Sequence, residues 1–467
     1  MEKTKTEVMY ATMNPWRLFF VVALPGMISM FAMSIYSIIE GIFIGQILGE
    51  EAFAAINIAM PMVLINFSVA DLIGVGASVP ISIALGKSDR KAADNIFSAS
   101  LIMILLASVF LGCVMFFAAT PLARMMGADN ALLEASVRYL RTYALCSPFT
   151  TVFFAMDNYL RISGYVKTSM IINVGSNVLT LGLLSLFLFG LDMDVGGSAL
   201  ATCISLSLSA FIALVPFWRR KALLRFTKPK FNLALFREVA ACGAPTFLNN
   251  VSGRVTSILM NIALMTVGFQ TFGEGGGTTV VAVYAILMYA SDLCWPLLYG
   301  ISDALSPAIG YNWGARNYKR VKKIARCSFT GTAVIGFLST ALLFFLPETI
   351  ASWFASAEDA RLLSLSTHAI RLFCFAYLFR WFGVSAQGFL SAIKKPLYAT
   401  VASVALAFVF PVLLLGALWP LGLDGIWINF AGANLLNTVL CVMLLAFVGR
   451  EIRRKQASDS SLPHDAK

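Results

Sequence analysis

The chain has 467 residues, of which 59% are apolar and only 13% charged, with a mean hydropathy of +0.80. Soluble domains carry roughly 25% charged residues, so a water-soluble globule of this size is excluded. The net charge of +11 is spread in short basic runs between long apolar stretches, which speaks against nucleic-acid binding. Eight cysteines without a CxxC pair, and only His368 and His464, argue against a disulfide framework or a zinc site.

About 20 apolar residues cross a bilayer core. Twelve stretches qualify, at about 16–44, 53–85, 95–119, 136–160, 168–190, 196–218, 236–269, 279–311, 324–346, 362–391, 397–418 and 424–449. Lipid offers backbone groups no water, so each reads as a helix. The expected fold is an all-α polytopic membrane protein. Most of the 35 basic residues fall on one side of this layout. They include Lys87, Arg90 and Lys91 after span 2, seven residues from Arg219 to Arg237 after span 6, and Arg316 to Arg326 after span 8. Positive residues resist translocation, which predicts that both termini are cytoplasmic in a multi-pass plasma-membrane protein. The opening residues are polar and no cleavage site follows a short apolar run, so no signal peptide is expected.

The basic connection at 219–237 divides the spans six and six. The expected organisation is a first six-helix lobe at 1–218, a cytoplasmic linker at 219–237, a second lobe at 238–450 and a disordered tail at 451–467. Both lobes start on the same side, so they are expected to be parallel repeats. Leu24-Pro25 answers Ala244-Pro245. Gly86 with its basic turn answers Gly314, and Gly197 answers Gly425, both 228 positions on. Such repeats place a substrate pathway between the lobes. No connection is long enough for a soluble catalytic domain, and no nucleophile–base or metal constellation is visible, so an enzyme is not expected. A channel is the remoter alternative.

Charge in hydrocarbon costs about 3 kcal/mol or more, so acids within spans are functional candidates. Setting aside Glu238 and Asp424 at span ends, there are five: Glu40, Asp71, Asp157, Asp292 and Asp303. Glu40 stands alone among apolar residues in span 1. Taking a carboxyl out of water favours its neutral form, which suits a proton-exchanging group; a structural polar contact is the alternative. Asp157 precedes Arg161 by one helical turn and reads as a local ion pair. Asp292 in span 8 and Arg254 in span 7 lie at similar counted depth, so they are expected to pair, either structurally or around cargo. Asp71 has no obvious partner and is a secondary candidate, and Asp303 is expected to meet the Arg316 turn. Asn173 and Asn177 share one face of span 5; they can serve a carboxyl or a small cation, or simply join helices. Tyr36, Met288 and Tyr289 belong to aromatic and methionine residues suited to an adaptable cavity, or to ordinary packing.

The segment Ser306-Pro307-Ala308-Ile309-Gly310-Tyr311-Asn312-Trp313-Gly314-Ala315-Arg316 resembles the multidrug and toxic compound extrusion (MATE) family, in particular its MepA-like branch. Glu40-Gly41-Ile42-Phe43-Ile44-Gly45, Asn158-Tyr159-Leu160-Arg161 and Gly197-Ser198-Ala199-Leu200-Ala201-Thr202 support the resemblance in the expected order. The resemblance implies a V-shaped, alternating-access carrier of two six-helix lobes that expels small amphipathic organic cations in exchange for H⁺ or Na⁺. It places the coupling carboxylate on Glu40, usually Asp in the family, and the span-5 asparagines on Asn173 and Asn177. The substrate cavity is expected to draw on Tyr36, Asp71, Arg254, Met288, Tyr289 and Asp292. Leu181 stands where many members carry a further aspartate, and residues 362–391 hold no acid, so H⁺ is favoured over Na⁺. No cofactor or metal is expected; the protein is expected to work as a monomer in the lipid bilayer. A lipid-linked oligosaccharide flippase, or a dedicated metabolite or peptide exporter of related design, is the rival reading.

Overall fold

The computed structural model describes residues 5–354 and 360–460, and every regular element among them is helical. Twelve crossings follow the expected order. Spans 1 to 3 are Pro15–Ile47, Gly49–Gly86 and Arg90–Phe117; span 4 is Asn130–Ile162. Span 5 is Val166–Ser185 continued by a π-helical turn, Leu186–Gly190, and span 6 is Val195–Trp218. Span 7 is Leu233–Phe272. Span 8 is broken into Gly276–Asp292 and Trp295–Gly314, with a 41° bend, and span 9 is Tyr318–Phe345. Span 10 is likewise broken, Ala360–Phe373 and Phe375–Ala392, bent by 44°. Span 11 combines Pro396–Val404, Ala405–Val409 and Phe410–Ala417, and span 12 is Gly422–Ser460. Among the described residues nine helices are long and apolar enough to span a bilayer unaided, and the two bent pairs bring the number to eleven. Span 4 completes the twelve, although Glu134, Arg138, Arg141, Asp157 and Arg161 make it more polar than the rest.

Local chemistry sets these boundaries. Asn14 accepts a hydrogen bond from the Trp16 amide with Pro15 in the first helical turn, and Asn232 caps span 7 through Leu235. Asp89 and Asn317 cap spans 3 and 9, and each follows a residue of positive φ, Ser88 and Arg316. Those turns match at the offset of 228 seen in the sequence (88 to 316, 89 to 317). The stretch expected to be a linker is shorter than 219–237, because span 7 already begins at Leu233. It is stitched to span 3: Asp94 accepts from the Arg225 amide at 2.8 Å, Ser98 from Thr227 at 2.9 Å and Asn95 from Lys230 at 2.7 Å. The tail expected to be disordered from 451 is helical to Ser460; residues 461–467 lie outside the described residues.

Packing repeats as the topology repeats. Spans 1 and 5, 2 and 4, 3 and 4, 4 and 6, and 5 and 6 pack together, and so do their counterparts six spans later. The lobes meet through spans 1 and 8, 2 and 7, and 2 and 8. A Cβ on Gly86 would lie 1.9 Å from the Tyr311 carbonyl oxygen, and one on Gly314 would lie 2.2 Å from that of Ile83. Both partners differ by 228 (86 to 314, 83 to 311), so the contact is reciprocal, as at a two-fold interface. A Cβ on Gly243 would similarly stand 1.8 Å from Leu72 O, and one on Gly26 2.7 Å from Gly300 O. That pairing relates spans 1 and 7 by 217 (26 to 243), where the Pro25–Pro245 match implied 220. Helix backbones touch at these points, and no larger side chain fits.

The seam is confined to the side that carries the chain termini. One buried core there runs through both lobes, from Leu18, Val22 and Phe97 to Ile301, Leu305 and Val321. Toward the far side the core divides. Ile44, Val63, Tyr139 and Cys203 pack within the first lobe, and Leu264, Leu287, Phe373 and Trp427 within the second. The molecule is therefore closed at its termini side and parted at the far side.

Candidate functional site

Glu40 lies in the far half of span 1, partly exposed. Thr202 Oγ1 of span 6 approaches its carboxylate at 3.5 Å, a long hydrogen bond, and Tyr36 and Tyr139 flank it. The Tyr36 hydroxyl is buried without a hydrogen-bond partner of good geometry. No described basic residue forms an ion pair with Glu40. The groups around this carboxyl are thus hydroxyls and phenols, with no basic side chain among the described residues to pair with it.

The asparagines do not serve this carboxyl. Asn173 donates to Asp157 Oδ1 at 2.6 Å, and the Asn177 side chain hydrogen-bonds no described residue. The register of spans 5 and 6 explains this. Ser205 Oγ donates to the Ser176 carbonyl at 2.7 Å, and Thr202 stands one turn beyond Ser205 toward the far side. Glu40 therefore sits roughly a turn, ~5 Å, beyond Asn177 and about two turns beyond Asn173. Polar groups form a descending series, with Glu40 at the top, Asn177 between, and Asn173 bound into a lower cluster.

That lower cluster is the ion pair read from the sequence, enlarged. Arg161 Nη2 meets Asp157 Oδ2 at 2.6 Å, with both side chains largely buried. Ser169 donates to the same carboxylate, whose oxygens are thereby satisfied on three sides. Asp303 of the second lobe lies within electrostatic reach of Arg161 and Asp157, and Asp71 within reach of Asp303. The expected approach of Asp303 to the Arg316 turn does not occur. Trp295–Gly314 is one continuous helix, and the eleven residues of it beyond Asp303 carry the turn roughly 16 Å away. Asp71 instead finds itself beside two other acids.

The expected Arg254–Asp292 pair is also absent. Span 8 breaks immediately after Asp292, and the Trp295 indole turns back to donate to its Oδ1 at 2.6 Å. Arg380 of span 10 lies within electrostatic reach of it, with its guanidinium 5.9 Å from the Tyr377 ring. Arg254 is exposed beside Tyr284 and forms no ion pair with a described residue. Equal counted depth failed as a guide because it assumed a straight span 8. Tyr289 is 37% exposed and stacks on Phe354, with centroids 5.2 Å apart, while Met288 packs against the far-side core of the second lobe. The eight cysteines are free, and no cluster of metal-ligating side chains occurs among the described residues.

Two parallel six-helix lobes, joined at one side and parted at the other, with an uncompensated carboxylate in the open part, define a polytopic two-lobe membrane protein of the transporter class. The MatE family model matches this chain twice, over residues 25–185 and 254–415, once in each lobe. The chain belongs to the MATE family, and it is a transporter and not an enzyme. It is 26% identical over 444 residues to the multidrug export protein MepA of Staphylococcus haemolyticus (strain JCSC1435), covering 94% of each chain. It is also 26% identical over 440 residues to the multidrug export protein MepA of Staphylococcus aureus (strain MSSA476), covering 92% of this chain and 93% of that one. Among solved structures it resembles the outward-facing conformation of a multidrug resistance MATE family transporter of the MOP superfamily. There the TM-score is 0.88 at 21% identity, over 97% of this chain and 99% of that one. A MOP superfamily transporter from Pyrococcus furiosus, described as having a binding pocket of reverse polarity, matches with a TM-score of 0.89 at 21% identity, over 97% and 100%.

Proposed function

We propose that the protein is a secondary multidrug exporter that exchanges small amphipathic organic cations for H⁺ by alternating access, with Glu40 as the coupling carboxylate. The observation that carries this reading is Glu40 itself, an acid in the parted half of the first lobe with no basic partner. A cation and a proton compete for one carboxyl, so uptake of either releases the other. Thr202 approaches the carboxyl, Tyr36 and Tyr139 flank it, and Asn177 offers an amide below it in span 5. Exposed aromatic and sulfur side chains such as Tyr289 and Met33 give the opening the adaptable apolar walls that unrelated drugs require. The closed side carries the basic connections and both termini, so it is cytoplasmic by the positive-inside rule, and the geometry is that of an outward-facing state. The protein acts as a monomer in the plasma membrane.

H⁺ is preferred to Na⁺ because Glu40 is the one carboxylate at this level among the described residues, and the oxygens around it are neutral hydroxyls of Tyr36, Tyr139 and Thr202. Ethidium efflux from proteoliposomes under an imposed pH gradient, compared with an imposed Na⁺ gradient, tests the reading. Efflux driven by the pH jump alone is expected. A response only to Na⁺ would replace the coupling ion, and no response to either would end the antiport reading.

A further inference from the structure

A short helix ahead of span 1, Lys5–Thr12, crosses the seam on the termini side. Thr6 Oγ1 donates to the Ser163 carbonyl at 3.0 Å, and Tyr10 Oη donates to the Arg161 carbonyl at 2.6 Å. Both acceptors lie at the end of span 4, in the first lobe. The carbonyl of the same Tyr10 accepts from Asn312 Nδ2 at 3.0 Å and from Arg320 Nε at 2.8 Å, and Arg320 Nη2 reaches the Met13 carbonyl. These donors flank the turn between spans 8 and 9, in the second lobe. The Tyr10 ring lies 6.0 Å from that of Tyr311 and is 2% exposed. Gly164, at φ +83°, adopts a backbone that side chains resist, and a Cβ there would fall 2.4 Å from Thr6 Oγ1. The span 4–5 turn is shaped to receive this helix.

A residue whose hydroxyl is bound to one lobe and whose carbonyl is bound to the other cannot keep both when the lobes part. The other seam contacts described above are apolar surfaces, apposed glycines and the longer-range approach of Asp303 to Arg161, none of them a hydrogen bond between the lobes. We propose that Lys5–Thr12 is a latch that holds the termini side shut. Its grip on the span 4–5 turn, two side-chain bonds against three to the second lobe, is released when that side opens. The latch rests on the alternating-access reading given above.

Cys242 is a native reporter of the seam: it is 4% exposed and packs with Val79 and Ile83 of the opposite lobe and with Trp313. Cys441 is a control, fully buried inside the second lobe against Ala386 and Ala402. The experiment uses full-length protein retaining only one of these cysteines, in sealed vesicles, with a maleimide added on the termini side under an ion gradient and ethidium. Tyr10→Phe and Thr6→Val each delete one bond to the first lobe and preserve side-chain shape. Either is expected to speed labelling of Cys242 by about two- to tenfold, the effect of one hydrogen bond, and to leave Cys441 unchanged. Equal acceleration at both cysteines would show general loosening and would overturn the latch, as would an unchanged rate at Cys242 in both variants. If Cys242 labels in no protein under any condition, alternate opening itself is wrong. If it labels in the parent at a rate the variants leave unaltered, only the latch is removed.

Discussion

The far halves of the two lobes share a backbone plan and differ in charge. In the first lobe Glu40 faces Thr202, Tyr36 and Tyr139 with no base in contact. Carrying the offset of 217 forward (40 to 257, 36 to 253) places Ser257 and Gly253 at the matching turn of span 7, beside an exposed Arg254. Asp292, the second-lobe acid at the break of span 8, is already held by the Trp295 indole and lies near Arg380. Duplicated architecture has therefore been given unequal electrostatics. One lobe offers an unmet negative charge, and the other has its acid engaged and a base exposed. On the reading proposed above, the difference assigns cation handling to the first lobe and apolar wall to the second.

The sharpest way to break this contrast is at Glu40. Glu40→Gln preserves size and hydrogen bonding but cannot change charge, and ethidium efflux from energised cells at matched expression should fall to background. Glu40→Asp should retain part of the activity. In purified parent protein, ethidium binding should weaken as pH falls, since protonation removes the carboxylate that attracts the cation; in Glu40→Gln that dependence should be flat. Parental efflux by Glu40→Gln would move the coupling group elsewhere, with Asp71 or Asp292 next.

A second effect of a different kind is expected from Asp157. Asp157→Asn leaves the Arg161 charge buried without its partner, a loss of ~3–5 kcal/mol for a pair of this type. A markedly lower melting temperature of purified protein would register it, and an unchanged one would mean that Asp303 takes over the pairing. Smaller still, Asp292→Asn keeps an oxygen to accept the Trp295 bond, and efflux should fall by no more than about twofold. Arg254→Gln should alter cation efflux least, and in the direction of a gain, because it removes a like charge from the opening. A loss at Asp292 or Arg254 as large as that at Glu40 would make the lobes equal partners.

Much of this was legible in the residues. Long apolar runs and basic connections specified the twelve crossings, and the recurrence of Gly86 and Gly314 at 228 positions anticipated a contact that proved reciprocal. The Asp157–Arg161 pair followed from helical spacing alone. What failed were pairings between helices. Arg254 with Asp292 assumed an unbroken span 8, and Asn173 with Glu40 assumed a register between spans 1 and 5 that local sequence does not encode. Asp303 found Arg161 because the lobes close on the termini side, which is a property of the assembled fold. The helix at Lys5–Thr12 escaped notice because eight residues, half of them polar, carry little periodic signal, and its partners lie more than 150 positions away.

The stitching of the 219–232 segment to span 3 has a mechanical consequence. Three side chains of one helix hold the amides of Arg225, Thr227 and Lys230, and Phe226 rests against Phe97 with centroids 5.3 Å apart. The strand between the lobes is thus no slack tether. It is carried rigidly by the first, and only the residue or two before Leu233 are left to pivot. If the halves swing as proposed above, the covalent path between them bends at the foot of span 7, where Asn232 both ends the strap and caps the helix.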